Sequence, residues 1–341
     1  MKSYRGLGYY ILIRAGMILP TVLILYTIVF TILRVLPGNP VLAVIGTKNI
    51  SPEQLQHLME MAGLNKPFYV QYFEYLWNVL HGDFGVTLAN PMGVPVKQYI
   101  MQRFPATFEL AIWSFTISVL LGVLTGTIAA VKKGGKIDAG MRLYSIVAYT
   151  LFIPWFGMML QWFFGLFLKL LPTSGRLDPG IDLNTITGLY VLDSILTGNT
   201  EALISSIKHL ILPSITLGIV LSGAYTRLVR NNMVDVLSMD FIRSYRARGL
   251  PSYKITWYAL KNAFIPVVTL MGLQFAILLG GAILTETTFN WPGMGTFIVD
   301  RIEYRDYNSI QGAIIFFAFF VALISLIVDV IYALLDPRIK Y

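Results

Sequence analysis

Cysteine is absent from the 341 residues. That removes disulfide frameworks, thiolate metal sites and cysteine nucleophiles at once. Charge is scarce: 13% of residues are Asp, Glu, Lys or Arg, against about 25% in soluble domains. Three histidines are present, His57, His81 and His209. They have no metal-ligand spacing to one another, so they read as surface or hydrogen-bonded groups. There is no Gly-x-x-x-x-Gly-Lys-Ser/Thr phosphate loop. The nearest string, Gly134-Gly135-Lys136-Ile137, lacks both the spacing and the hydroxyl. A Gly-x-Ser-x-Gly nucleophile elbow is missing too. No internal repeat or low-complexity tract is evident. The chain therefore carries no recognisable enzymatic chemistry of its own.

Apolar residues fill the space that charge leaves. They make up 56% of the chain, and mean hydropathy is +0.66. Such a chain cannot cover its surface in water, and it is far too hydrophobic to stay disordered. Charge-free runs long enough to cross a bilayer core as helices occur at 15–33, 110–131, 143–168, 210–226, 263–285 and 307–328. The fourth is the shortest, and Leu228 and Val229 extend it past Arg227. The first follows Lys2, Arg5 and Arg14, as a signal peptide would. It is longer than an ordinary signal core and no small-residue cleavage site follows, so it reads as a retained first helix.

The net charge of +8 has two sources to choose between, nucleic acid or membrane topology. Placement decides. With the N-terminus inside, the inner segments hold 16 of the 26 basic residues and four acids, Asp138, Asp235, Asp240 and Asp336. The outer segments hold the other ten basic residues and twelve acids. This is the positive-inside pattern with both termini cytoplasmic, and it needs no nucleic acid. Two acids fall at span ends, Glu109 and Asp329, where helix-helix pairing is expected. Gly122 and Gly126 form a small-xxx-small pair that marks close helix packing.

The outer segment 34–103 carries helix signals. Ser51, Pro52 and Gln54 supply a cap, an N1 proline and a capping-box partner, Leu55, Leu58, Met59 and Ala62 follow at helical spacing, and Gly63 is a fitting stop. A second helix is predicted after Pro67, through Tyr72, Tyr75, Leu76 and Val79. Together these read as a small external cap that either covers helix ends or docks a partner. A further outer stretch, 172–208, has turn signals at Pro172-Thr-Ser-Gly175 and Asp178-Pro-Gly180. The expected architecture is an all-α integral membrane protein: a first helix and extracytoplasmic cap over 1–105, then a five-helix core over 106–341.

The inner loop between spans four and five reads Ser238-Met-Asp-Phe-Ile-Arg-Ser-Tyr-Arg-Ala-Arg-Gly249-Leu-Pro. Ser238 or Asp240 can cap a helix there, and Gly249 can end it in the left-handed conformation. Phe241, Tyr245 and Arg248 share one face, with Ile242 and Arg246 beside it. A short basic helix with an aromatic stripe either lies on anionic lipid or docks a protein. Gln161, Gln274 and Asn290 are candidate cavity-lining polar groups, each equally suited to an interhelical hydrogen bond.

Asp240-Phe-Ile-Arg-Ser-Tyr-Arg-Ala-Arg-Gly249, followed by Ala259-Leu-Lys-Asn-Ala-Phe-Ile-Pro266, resembles the EAA loop of ABC importer permeases, in the dipeptide/oligopeptide branch. Asp240, Ile242, Arg243, Arg246, Ala247, Gly249, Asn262, Ala263, Ile265 and Pro266 match that pattern. Phe241 and Arg248 are mild replacements, and Tyr245 stands where the branch has a small alanine. Leu36-Pro-Gly-Asn-Pro40, the run from Pro67 to Tyr72, Gly82-Asp-Phe-Gly85, Arg103-Phe-Pro-Ala-Thr107, Leu171-Pro-Thr-Ser-Gly175, Glu286-Thr-Thr-Phe-Asn-Trp-Pro-Gly293 and Leu335-Asp-Pro-Arg338 resemble the first of the two paired permeases. The resemblance implies an EAA loop at about 238–266 whose coupling helix, Asp240 to Gly249 and so including Ser244, docks on a cytoplasmic ATPase. It implies a related second permease, one or two ATPase subunits, an extracytoplasmic solute-binding protein and surrounding lipid as partners, with ATP and Mg on the ATPase and no cofactor on this chain. Peptide is the implied solute and oligosaccharide the alternative. A stand-alone secondary transporter would show an inverted repeat or broken spans in matching positions, and the sequence shows neither.

Overall fold

In the computed structural model, residues 7–35, 53, 59–60, 65–89 and 91–335 are described. The predicted helix around Ser51 to Gly63, His57, the Leu36 to Pro40 motif and most of the Leu335 to Arg338 motif lie outside these residues. Among the described residues the chain is helical, with a lone bridge between Val86 and Pro95. The helices are α1 (Leu7–Val35), α2 (Phe68–Leu80), α3 (Val96–Val131), α4 (Lys136–Thr150), α5 (Ile153–Leu160, continued by a π-helical turn Gln161–Phe167), α6 (Tyr190–Leu196), α7 (Thr200–Leu237), α8 (Asp240–Ala247), α9 (Ser252–Ala263), α10 (Ile265–Gly281), α11 (Ile283–Thr288), α12 (Met294–Glu303) and α13 (Tyr307–Leu335).

Four helices, α1, α3, α7 and α13, are each long and apolar enough to cross a membrane, and two bent pairs bring the number to six if each is one span. The third and fifth predicted spans are the bent pairs. Their breaks have a common cause. Pro154 has no N–H to give the Thr150 carbonyl, and α4 ends at Thr150; α5 then leaves at 103°. Pro266 likewise leaves the Asn262 carbonyl without its helical donor, and α9 and α10 meet at 56°. The fourth predicted span and the end of the outer stretch are also corrected. A single helix of 38 residues, α7, runs from Thr200 to Leu237. The Asn199 side chain caps it by accepting from the Ala202 N–H at 3.0 Å. A search for charge-free runs finds only its middle, because Lys208, Arg227 and Arg230 all lie on it. At 1.5 Å per residue it is about 57 Å long, so both ends project beyond a ~30 Å hydrocarbon core.

The bundle is organised around α7. In its most apolar stretch 61% of residues are buried, against 6% in α13. α3 lies parallel to it, Ser114 and Ile117 beside Gly218 and Gly126 beside Val229, and Gly122 and Gly126 set the distance. A Cβ at Gly122 would lie 2.3 Å from Cβ of Tyr225, and one at Gly126 would lie 2.7 Å from the Thr226 carbonyl. Thr125 and Thr226 hydrogen-bond across the same seam at 2.7 Å. The small-xxx-small pair is thus a packing device, as its spacing predicts.

α1 packs on α13 through Val29, Leu33 and Ile310. Asp329 pairs with Arg14 at 3.1 Å across the same two helices, the helix-helix pairing expected of it. α2 forms as predicted after Pro67. Its Tyr72, Tyr75, Leu76 and Val79 close over the buried Tyr26 and Phe30 of α1, and the Tyr26 hydroxyl donates to the Tyr72 carbonyl at 2.6 Å.

Candidate functional site: the exposed face of a short basic helix and a framed cavity at the opposite end

At one end of the bundle the chain turns from α7 into α8. Met239, not Ser238 or Asp240, occupies the N-cap position, and no side chain caps the helix. Ser238 is engaged elsewhere, donating to the Asp235 carbonyl at 2.6 Å to close α7. Asp240 stands in the first turn of α8, where the helix dipole favours it, and pairs with Arg243 at 3.3 Å on the open surface. Gly249 does end the helix left-handed, with φ of +72°. Its N–H donates to the Arg246 carbonyl at 3.0 Å, and the Leu250 N–H donates to the Tyr245 carbonyl at 3.1 Å.

The two faces of α8 differ. Ile242 is fully buried in a cluster with Met233 and Val236 of α7 and Ile255 and Ala259 of α9, and Phe241 and Tyr245 pack against the same cluster. Phe241 and Tyr245 meet edge to face at 5.8 Å, and Tyr245 contacts Tyr258 of α9 at 5.3 Å. The aromatic stripe therefore faces the chain's own core, which corrects the grouping of Tyr245 with Arg248 on one docking face. The exposed face carries Asp240, Arg243, Ser244, Arg246, Ala247, Arg248 and Gly249. Burial of Ile242 and the two rings locks α8 to both α7 and α9, so a force on the exposed face is passed to both.

Beside α7, and unforeseen in the sequence, a buried acid joins two elements. Asp138 of α4 takes two hydrogen bonds from Arg230 of α7, at 2.6 and 2.8 Å, and a third from the Gly134 N–H at 3.0 Å. Arg142 adds a charge at 3.6 Å. The Gly134-Gly135-Lys136 string that fails as a phosphate loop is thus a turn that holds a carboxylate.

At the other end, the N-terminal turns of α3 meet the segment 286–296. Thr107 Oγ1 donates to Glu286 at 2.6 Å and accepts from the Met294 N–H at 2.8 Å. The Thr296 N–H reaches the second Glu286 oxygen at 3.1 Å. Trp291, 1% exposed, donates its indole N–H to the Ala106 carbonyl at 2.9 Å. Burial pushes the Glu286 carboxyl up, against hydrogen bonds from Thr107, Thr296 and Gly295 and the positive charge of Arg103. Glu109 does not pair with another span. Its partner is Arg176, from the outer stretch, and both are 4% exposed. The guanidinium also lies over the Tyr190 ring at 3.7 Å. Asp193 organises the same stretch. Burial pushes its carboxyl up, but hydrogen bonds from the Thr187 hydroxyl and the N–H groups of Thr187, Gly188 and Ile186 outweigh this and hold it below the usual carboxylate range.

The three candidate cavity-lining residues separate. Gln161 donates to the Thr173 and Thr288 carbonyls at 2.7 and 3.0 Å, a structural tie. Gln274 is half-buried on α10. Asn290 lines a cavity of about 580 Å³ at this end of the bundle together with Arg103, Thr287, Thr296 and Asp300. Its backbone is left-handed, with φ of +46°, a conformation asparagine tolerates better than most residues. Of the histidines, His81 is exposed and bonds the Trp77 carbonyl through Nδ1, while His209 is buried beside Ser205 and 3.8 Å from Asp178. No group of three or more metal-ligating side chains occurs among the described residues.

Residues 122–341 match the family described as binding-protein-dependent transport system inner membrane component, and residues 9–111 match the N-terminal region of such membrane components. The dipeptide transport system permease protein DppB of Escherichia coli (strain K12) is 37% identical, over 97% of this chain and 98% of that protein. The di/tripeptide transport system permease protein DppB of Pseudomonas aeruginosa (strain UCBPP-PA14) is 37% identical, over 96% of this chain and 97% of its own. The dipeptide transport system permease protein DppB of Haemophilus influenzae (strain ATCC 51907 / DSM 11121 / KW20 / Rd) is 40% identical, over 96% and 98%. The chain belongs to the family of inner membrane components of binding-protein-dependent transport systems, and is a multi-pass membrane protein.

Proposed function

We propose that this chain is a permease subunit of an ATP-driven importer that takes up di- or oligopeptides handed over by an extracytoplasmic binding protein. The observation that carries the reading is identity of 37 to 40% to dipeptide and di/tripeptide permeases along nearly the whole chain. In this reading the chain is the first of two related permeases, with the solute path between them. One or two ATPase subunits bind ATP and Mg and sit against α8, and this chain hydrolyses nothing. α1 and the outer cap form one unit over 1–105, and the five-span core over 106–341 forms the other. The excess of basic residues near α8 and α4 supports a cytoplasmic position for that end and for both termini.

The mechanism follows from the two faces of α8. ATP draws the ATPase subunits together, and the exposed groups Asp240, Arg243, Ser244, Arg246, Ala247, Arg248 and Gly249 receive that movement. Ile242, Phe241 and Tyr245 transmit it, because they are packed into α7 and α9. α9 continues at an angle into α10, and α7 runs the depth of the bundle along α3. ATP selects one of two arrangements of these spans only through contacts that differ between them, and the short exposed face of α8 is where such contacts form.

The test is uptake of labelled Ala-Ala into proteoliposomes holding the assembled importer. Uptake that needs ATP, the binding protein and this chain together supports the reading. Uptake driven by an ion gradient without ATP points to a secondary transporter. Uptake of oligosaccharide with peptide ignored moves the solute to the alternative class.

A further inference from the structure

We propose that the outer cavity beside Asn290 is a subsite for a small zwitterion, and, resting on the peptide-importer reading, that it holds the two charged ends of a short peptide as the solute enters the path. Arg103 of α3 and Asp300 of α12 both line it. No hydrogen bond or ion pair joins either side chain to a described residue, and none joins them to each other. Opposite charges in one cleft gain by closing on each other. Here they do not pair, and although Arg103 acts on the buried Glu286 through space, its N–H groups are left for a carboxylate and Asp300 is left for an ammonium. The uncharged lining adds the Asn290 amide and the hydroxyls of Thr287 and Thr296, beside Gly175 and Pro292.

The walls are fixed. Asn290 sits in a tight left-handed turn, its N–H on the Thr287 carbonyl at 3.3 Å. The segment behind it is tied to α3 through Glu286, Thr107 and Trp291. The Gly175 N–H holds the Phe289 carbonyl at 3.1 Å from the other side. A frame of this kind presents charges without having to order them on binding. At about 580 Å³ the cavity falls within the roughly 300–1,000 Å³ of small-molecule sites. An extended dipeptide spans about 7 Å and fits within it. Arg103 lies near the start of α3, at the end of the bundle away from α8, where solute arriving from a binding protein would enter.

The experiment uses the assembled importer in nanodiscs carrying Thr287→Cys, which adds the only thiol in this chain. Alkylation of that thiol is timed with and without Ala-Ala, the binding protein being left out. Ala-Ala should slow the reaction, and N-acetyl-Ala-Ala-amide, which has neither charge, should not. Arg103→Gln or Asp300→Asn should remove the protection and lower Ala-Ala uptake about tenfold, the loss of one charged hydrogen bond. Arg103→Lys should restore part of it, and affinity of the binding protein for the importer should stay the same. Protection that persists in both variants, or equal protection by the capped peptide, overturns the inference while leaving the importer reading intact. Variants that weaken attachment of the binding protein without touching Ala-Ala protection also overturn it, since the charges then serve protein docking. A wild type that takes up no peptide at all overturns both.

Discussion

Replacing Gly122 by alanine tests how α3 and α7 are held. The added Cβ would lie 2.3 Å from Cβ of Tyr225, 3.0 Å from the Ser222 carbonyl and 3.2 Å from the Thr226 backbone nitrogen. Carbon atoms in contact sit about 3.5–4.0 Å apart, so the helices must separate by more than about 1 Å at this level. None of these atoms can swing aside, because each belongs to the helix backbone or is joined directly to it. Overpacking of this kind costs roughly 1–3 kcal/mol, offset by the ~0.5–1 kcal/mol that alanine gains over glycine in a helix. The Thr125–Thr226 hydrogen bond is stretched at the same time. Gly140 of α4 is the control, since a Cβ there meets nothing within 4 Å. The measurement is the thermal unfolding midpoint of the purified importer for both variants. Gly122→Ala should lower it and Gly140→Ala should leave it or raise it slightly. If Gly122→Ala proves as stable as Gly140→Ala, the seam is not close-packed and the reasoning fails.

Gly249→Val places a β-branched residue at φ of +72°, at a cost of about 1 kcal/mol or more. Membrane insertion should be unaffected while ATP-driven uptake falls and the ATPase subunits wash off more readily, read by uptake and co-purification. Asp138→Asn leaves Arg230 without its carboxylate in a half-buried site, and destabilises by on the order of 3 kcal/mol. Pairing it with Arg230→Gln should recover much of the loss in a double-mutant cycle on the unfolding midpoint. Asp193→Asn should open the 182–189 segment to protease. Because the Asp193 carboxyl is held low, its contribution is present above the ordinary value of about 3.9 and disappears as pH falls through the lowered one. Acidified wild type should thus cleave like the variant, and cleavage independent of pH would count against this account.

The membrane class and the four long apolar helices were legible because charge exclusion from hydrocarbon is a compositional rule, visible without any contact. The breaks within two spans were less so. Pro154 and Pro266 stand in the sequence, but proline inside an apolar run is tolerated in membranes when neighbours supply the missing donors, as Pro213 within α7 shows. Which prolines bend their helix is decided by packing. The length of α7 was hidden for a different reason: its charged residues lie toward its projecting ends, where water or a distant partner such as Asp138 for Arg230 satisfies them. α8 and its glycine stop were read correctly, whereas the facing of its aromatic rings was not, because periodicity places residues on a face without saying which neighbour that face meets. The pairs Glu109–Arg176 and Asp138–Arg230 join residues 67 and 92 positions apart, and no local pattern reports them. Glu286 and Trp291 did lie in a quoted motif, and the structure supplies their roles as the frame of the outer cavity.

The claim that ATP hydrolysis on a partner reaches this chain through the exposed face of α8 is tested most directly by crosslinking from that face. Arg248→Cys, in an assembled importer whose other subunits lack reactive thiols, should crosslink to the ATPase subunit. The yield should change when ATP is added and return after hydrolysis, while the buried Ile242 position gives no adduct. An Arg248→Cys importer that transports normally, yet labels only lipid with or without ATP, would contradict the account.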